Sequence, residues 1–342
     1  MTTLKAIMAS ILALAGYEYV GQKMDEQKYP PVGRMINVSD YNLHVIDRGV
    51  GGPTVVVDPG MGCNSLSWGL VYPEIAKFTR VMVIDRAGYA WSDASPLPRT
   101  SENIVQEMHT MLQNSGVPGP YILVGHSFGG VNTRLYASKY PDDVAGVILV
   151  DSSHEDQFKE GSIYNKEPLK TEDGFFARWK DSLEEQTEKI KEYLGLHDVI
   201  SEDEIQKHLE TIKLYPEEVK HSHIATRRSI QFNQVVNAEF SNFKSSLKHL
   251  KDEGGLLGDK PLTVIMAGKK PTVEECGGLL NQEEIDECCD VFWPGLQAAH
   301  AAKSSRGKLI VAEKSGHMIP AEQPEIIVEA VREMVDELQK KD

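Results

Sequence analysis

At 342 residues, with 41% hydrophobic, 25% charged and 7% aromatic side chains, the chain has an ordinary globular composition, which excludes wholesale disorder and collagen-like fibres. Lys and Arg number 36 against 51 Asp and Glu; the formal net charge of −15 repels phosphate backbones, no basic stripe offsets it, and nucleic acid is excluded as a partner. Four cysteines, Cys63, Cys276, Cys288 and Cys289, are too few for a disulfide scaffold and show no zinc-finger spacing, although Cys276 could pair with Cys288 or Cys289 in an oxidising compartment.

The chain opens with one positive charge in residues 1–5, then an uncharged run over residues 6–17 that carries Ile7, Met8, Ile11, Leu12 and Leu14. Ala13-Leu14-Ala15 resembles a signal-peptidase site. The layout fits a short secretory signal, or membrane association through residues 4–20, and falls short of the roughly 18 apolar residues of a clear membrane span. A plain surface helix fits the same residues, so the expected location stays open between cell envelope and cytoplasm. Residues 1–30 are set aside as a hydrophobic segment and linker.

Beyond Pro30-Pro31 the pattern predicts strands at residues 34–38, 42–47, 54–58, 80–85, 121–125, 145–151, 262–267 and 308–312. Val55-Val56-Val57 and Val147-Ile148-Leu149-Val150 do not alternate with polar residues, as suits strands buried on both faces of a parallel sheet. Ser101 can cap a helix whose apolar face is Ile104, Val105, Met108, Met111 and Leu112 and which Gly116 ends. Pro324 opens a last helix with Ile327, Val331, Met334 and Leu338 on one side. This alternation predicts an α/β fold: a mostly parallel central sheet with helices on both faces. Residues 152–260 break the rhythm with charged helical segments at 181–194 and 201–212, the second opening on a Ser-x-x-Glu capping box, and read as a helical insertion after the sixth strand. Its Glu and Lys runs read as solvated faces. A second irregular stretch covers residues 269–291.

Gly125-His126-Ser127-Phe128-Gly129 is a G-x-S-x-G sequence at the end of an apolar strand and the start of a helical pattern. A serine there sits on a sharp turn that tolerates only small neighbours, and the Phe128 N–H faces the place where negative charge would develop. Asp58-Pro59-Gly60-Met61-Gly62 closes another strand and can offer the Met61 N–H as a second donor; a plain Gly-Pro turn is the bland alternative. Of the 11 histidines, His317, in Ser315-Gly316-His317-Met318, follows the last strand and precedes the Pro324 helix, where an open α/β sheet collects its site. His154 is the rival. His126 adjoins the serine, but neighbouring positions on such a turn point apart.

The Pro59-Gly60…Trp68 loop, Asp85-Arg86-Ala87-Gly88-Tyr89-Ala90-Trp91-Ser92, the Gly125–Gly130 elbow and Ser315-Gly316-His317, in this order, resemble the α/β-hydrolase fold superfamily, specifically its serine hydrolases with a helical cap. The resemblance runs from about Gly33 to the C-terminus. It implies a core at residues 31–151 and 261–342, with residues 152–260 as the cap. It also implies acyl transfer with Ser127 as nucleophile and His317 as base, Met61 and Phe128 at the oxyanion hole, and neither metal nor organic cofactor. The chain departs from the family pattern in having Pro59-Gly60 where many members have His-Gly. It also lacks the acid that usually follows the seventh strand, since Met266-Ala267-Gly268-Lys269-Lys270-Pro271-Thr272 holds none and Glu274 and Glu275 come late. A variant of the fold takes its acid from the end of the sixth strand. Asp151 stands there, 24 residues after Ser127, and is the favoured acid over Glu274 and Glu275. A hinge role for Asp151, capping the turn Ser152-Ser153-His154, is its structural alternative.

Arg86 and Tyr89 could touch substrate but in such loops are mostly structural. Phe175, Phe176, Trp179 and Phe232 would form an apolar ceiling over the serine or simply pack. The expected substrate is a small, apolar acyl compound with an ester-like bond. Peptidase or aminopeptidase action, carbon–carbon bond hydrolysis on the same residues, and a non-catalytic ligand-binding version of the fold are the alternatives.

Overall fold

The runs of Val and Ile become strands buried on both faces because the chain covers both sides of one sheet. The protein is described by a computed structural model at residues 28–159, 162, 215, 220, 222, 223, 226, 230–274, 276 and 280–340. Residues 4–20, the segments 181–194 and 201–212, Phe175, Phe176, Trp179 and Glu275 lie outside these. The strands are β1 (Arg34–Asn37), β2 (Asn42–Arg48), β3 (Val55–Asp58), β4 (Val81–Ile84), β5 (Tyr121–His126), β6 (Val144–Val150), β7 (Leu262–Ala267) and β8 (Gly307–Ala312). All eight expected strands form, each within a residue or two of its expected bounds.

They make one sheet in the order β1-β2-β4-β3-β5-β6-β7-β8. β1 and β2 pair antiparallel, β2 meets β4 antiparallel, and every pairing from β4 to β8 is parallel. Side chains divide by the two-residue period of a strand. Val56, Leu123, Val147 and Leu149 enter one core, and Val55, Val57, Ile122, Val124, Ile148 and Val150 enter the other. β3 lies between β4 and β5, so chain connections leave the β3–β5 pair in opposite directions. Their carboxyl ends therefore open a crevice at a topological switch point.

Helices α1 (Tyr72–Ile75), α2 (Ser101–Asn114) and α3 (Phe128–Lys139) precede the long β6–β7 connection. In that connection lie α4 (Ile230–Ser241) and α5 (Phe243–Glu253), and α6 (Gln282–Glu287), α7 (Trp293–Ala301), α8 (Ile319–Glu322) and α9 (Pro324–Gln339) follow β7. Ile104, Val105, Met108, Met111 and Leu112 of α2 are buried in the first core, and Ile327, Val331 and Met334 of α9 in the second, as their spacing predicts. α5 also belongs to the first layer, since its Phe243, Leu247 and Leu250 share the core with α2 and α3. Among the described residues no helix is long and apolar enough to cross a membrane.

Local details differ from the sequence reading at two helix starts. The N-cap of α2 is Thr100, not Ser101: Thr100 has the extended backbone a cap requires (φ −93°, ψ 154°), and its hydroxyl accepts the Asn103 N–H at 3.4 Å. Residues 269–291 are not wholly irregular, because Asn281 and Glu284 form a reciprocal capping box that starts α6. That helix passes through one wide turn, Cys288–Phe292, into α7.

The elbow packs too closely for side chains at its glycines. A Cβ on Gly129 would stand 2.1 Å from the Asp58 carbonyl oxygen, so β3 and α3 could not keep their spacing. Gly129→Ala is expected to cost about 1–3 kcal/mol or more through overpacking. Gly295→Ala, in the interior of α7 with open space around it, should be neutral or stabilising. Comparing the two melting temperatures checks this; equal values would contradict it.

Candidate active site

Ser127 is held in a conformation that a serine rarely adopts, φ 52° and ψ −118°, between β5 and α3. Such backbone strain persists only when the surroundings over-determine it. Here the Ser127 N–H donates to the Val150 carbonyl at 3.0 Å, and its own carbonyl accepts the N–H groups of Gly130 (3.0 Å) and Ser153 (3.1 Å). A Cβ on Gly60 would lie 2.8 Å from His126 Nδ1 and 3.3 Å from Ser127 Cβ, so only glycine lets the loop after β3 lie directly against the elbow. Among the described residues the Ser127 hydroxyl has no hydrogen-bond partner.

His317 and Asp151 come together across the strand ends. His317 Nδ1 lies 2.6 Å from Asp151 Oδ2, which leaves Nε2 as the free ring nitrogen. The other carboxylate oxygen, Oδ1, accepts the Ala267 N–H at 3.0 Å and the Trp293 indole N–H at 2.8 Å. Asp151 is itself at positive φ, 40°, and its N–H donates to the Ile265 carbonyl at 2.7 Å. Its carboxylate is spent on β7, α7 and the histidine loop, and not on capping residues 152–154. Burial alone would raise its pKa, but the His317 hydrogen bond and charge, with Ala267 and Trp293, hold it below the usual carboxylate value. For His317, desolvation opposes the charge, and the Asp151 hydrogen bond and charge outweigh it, raising the imidazole pKa. Glu274 is exposed.

The two candidate oxyanion donors flank the serine. Phe128 N–H is at the first turn of α3, and Met61 N–H is in the loop after β3; among the described residues neither is engaged by another backbone acceptor. Arg86 lies beneath that loop, only 4% exposed, and is not among the residues that line the cleft. It donates to Asp58 at 2.5 Å, to the Pro59 and Gly60 carbonyls at 2.6 and 3.1 Å, and to both oxygens of Glu239. Desolvation raises the pKa of Asp58 although Arg86 and the Asn132 amide oppose it. Tyr89 is fully buried, with its phenol pushed well up by burial and by Glu239. Phe232 packs edge-on against the Tyr89 ring at 5.5 Å, so it is a packing residue of α4 and not a ceiling.

The histidine rivals have other employment. His154 is buried, its Nδ1 accepts the Asp156 N–H at 3.0 Å, and burial lowers its pKa to about 4. With Glu155 and His300 it forms a group whose ligand atoms lie within 4.8 Å of one another. A cation of the protein already fills that place: Arg134 bonds the Glu155 carboxylate and stands 3.1 Å from His300 Nδ1, and Lys303 meets Glu155 at 3.0 Å. A metal ion would have to displace the guanidinium, so no metal is assigned there. His126 is employed by the histidine loop, a partnership with no sequence spacing to announce it: its Nε2–H donates to the His317 carbonyl at 2.8 Å. Burial, then the His317 charge, depress its pKa to about 3, so it stays neutral at ordinary pH. Trp293 was equally unmarked in the sequence.

Ser127, Asp151, His317, Met61 and Phe128 line one cleft of about 1240 Å³. Apolar walls come from Phe240 of α4, Phe243 of α5, and Leu280, Ile285 and Pro294 from the segment after β7. All four cysteines line the same cleft, and none is bridged to another.

A family model for the α/β hydrolase fold matches residues 53–201. An AB hydrolase superfamily protein of Gibberella zeae is 25% identical over 305 residues, covering 83% of this chain and 86% of that protein. The uncharacterized protein YbdG of Bacillus subtilis is 28% identical over 140 residues, 40% of this chain and less than half, 43%, of the relative. Among solved structures, Cfl2 of Burkholderia cenocepacia superposes with a TM-score of 0.62 at 18% identity, covering 88% of this chain and 95% of that one. A thermophilic esterase of Thermogutta terrifontis does so with a TM-score of 0.54 at 19% identity, covering 89% and 98%. At such identities the structural likeness speaks to the fold alone.

The two facing histidines should titrate far apart. In an NMR titration of the ring protons, His317 is expected to titrate above its ordinary 6.5 and His126 to stay neutral down to about pH 3. Asp151→Asn should bring the His317 midpoint down, because the charge that favours the imidazolium is gone. A midpoint unmoved by that substitution would contradict the pairing.

Proposed function

We infer that this member of the α/β-hydrolase fold superfamily is a serine hydrolase, cleaving an ester-like acyl bond through an acyl-enzyme on Ser127. The observation that carries the reading is the 2.6 Å His317–Asp151 hydrogen bond in the same cleft as a serine held at φ 52°. Neither feature serves packing: the first turns a histidine toward a cleft, and the second strains the backbone to expose a hydroxyl.

The roles follow from chemistry. Ser127 Oγ attacks the substrate carbonyl carbon while His317 Nε2 takes its proton. Asp151 keeps the proton on Nδ1 and stabilises the imidazolium without itself becoming protonated. The Met61 and Phe128 N–H groups receive the oxyanion, each worth about 2.7–4 kcal/mol of barrier by analogy with oxyanion-hole deletions. Collapse of the tetrahedral adduct breaks the ester bond, and His317 returns its proton to the leaving alcohol. Water, deprotonated by His317, then attacks the acyl-enzyme, and Ser127 regains its proton as the acid departs. Phe240, Phe243, Leu280 and Ile285 favour an apolar acyl group.

The test is turnover of p-nitrophenyl esters of increasing acyl length by wild type and Ser127→Ala. Wild type should hydrolyse them with kcat/KM rising as the chain lengthens, and Ser127→Ala should lose roughly 10³-fold or more. Because the base must be neutral, kcat/KM should fall on the acid side with a midpoint above the ordinary histidine value of 6.5. Absence of turnover on every ester would sink the reading, and faster turnover of aminoacyl anilides would transfer it to a peptidase.

A further inference from the structure

Glu239 belongs to α4, in the connection between β6 and β7, yet it is buried completely, at 0% exposure. Its carboxylate reaches into the core loops. Oε1 accepts from Arg86 Nε at 2.7 Å, and Oε2 accepts from Arg86 Nη2 at 2.9 Å and from the Tyr89 hydroxyl at 2.7 Å. A carboxylate taken out of water normally resides where its charge is answered, and here the answering groups are the ones that hold the loop after β3.

Arg86 carries five N–H donors in a rigid fork. Glu239 takes two, one from Nε and one from Nη2, and the others go to Asp58, the Pro59 carbonyl and the Gly60 carbonyl. With every donor engaged, the guanidinium has one seating. On the far side of Met61, the Gly62 N–H donates to the Tyr89 hydroxyl at 3.1 Å. The peptide units before and after Met61 are therefore both fastened to side chains that Glu239 fixes.

The Gly60–Met61 peptide is trans, as only Gly52-Pro53 and Gly119-Pro120 are cis among the described residues. In a planar trans peptide the C=O and N–H point in opposite directions. Turning the Gly60 oxygen down onto the buried Arg86 turns the Met61 N–H the other way, toward the cleft that Met61 and Ser127 line. The Gly60 oxygen also accepts the Cys63 N–H at 3.1 Å, so this turn and Arg86 together set the direction of the Met61 N–H, and Arg86 is seated by Glu239.

We propose that Glu239 is a positioning residue for the oxyanion site: acting through Arg86 and Tyr89, it orients the Met61 N–H, so that an inserted helix completes a site otherwise built from the core. This rests on the serine-hydrolase reading and deepens it. Glu239 touches no substrate. Its effect is on stabilisation of the oxyanion, and therefore on kcat and not on ground-state binding.

The experiment compares wild type with Glu239→Gln, which keeps the shape and removes the charge, and with Tyr89→Phe, which leaves the Arg86–Glu239 pair intact. Each is assayed for kcat and KM on a p-nitrophenyl ester, for inhibition by an alkyl trifluoromethyl ketone whose hemiketal oxyanion needs the donor, and for melting temperature. Glu239→Gln is expected to lose about 10- to 100-fold in kcat with KM within twofold, and to bind the ketone more weakly by the same factor. Tyr89→Phe should show the same pattern, smaller. A folded Glu239→Gln with wild-type kcat and ketone affinity, whatever its melting temperature, overturns the inference. If that variant does not fold, Tyr89→Phe decides by the same two readouts. Wild type that neither turns over the ester nor binds the ketone overturns the serine-hydrolase reading and this inference with it; active wild type with unaffected variants overturns this inference alone.

Discussion

A carboxylate removed from water must be met by donors, and Asp151 at the end of β6 is met by three: the Ala267 N–H, the Trp293 indole and His317 Nδ1. Those donors arrive from the end of β7, the start of α7 and the loop after β8. The requirement of one buried charge therefore draws together three separate stretches of chain and leaves the outer nitrogen of His317 beside the cleft. The adjacent elbow is tied into the same strand end, since Ser127 N–H donates to Val150. Strain at Ser127 and at Asp151 is held by the parallel sheet beneath, whose interior strands are fully buried on both faces.

A second buried charge system governs the opposite wall. Arg86 sits between Asp58 and Glu239 and holds down the carbonyls of the loop after β3. Breaking a buried pair of this kind is expensive, because it strands the remaining charge in a low-dielectric interior. The loop is accordingly held on both sides of Met61, through the Gly60 carbonyl and the Gly62 N–H. The two systems share no residue, and His126 stands between them, packed against Gly60 and bonded to the His317 carbonyl.

Most of the fold was legible because its signals are local. Val and Ile runs between turn residues mark strands wherever both faces are covered, and 3.6-residue periodicity marked α2 and α9. That Ser127, His317 and Asp151 would meet on one cleft was legible for a related reason: each follows a strand, and strand ends on one edge of a parallel sheet converge. What stayed hidden depends on pairs with no sequence spacing to announce them. Arg86 meets Glu239 across 153 residues, Trp293 meets Asp151 across 142, and His126 meets the His317 carbonyl across 191. The start of α6 was different, since the capping pair Asn281 and Glu284 was readable and its neighbours Gly277 and Gly278 masked it. Thr100 likewise sits one residue before a serine that looks equally able to cap.

The central claim is that Ser127 is activated by a His317–Asp151 pair. The most direct measurement is intact-mass and peptide-mapped labelling by a fluorophosphonate, with rates compared between wild type, Asp151→Asn and Glu274→Gln. The account predicts one phosphonyl adduct per chain, on Ser127, forming much more slowly in Asp151→Asn and at the wild-type rate in Glu274→Gln. No adduct on Ser127, or a rate indifferent to Asp151 and sensitive to Glu274, would contradict it.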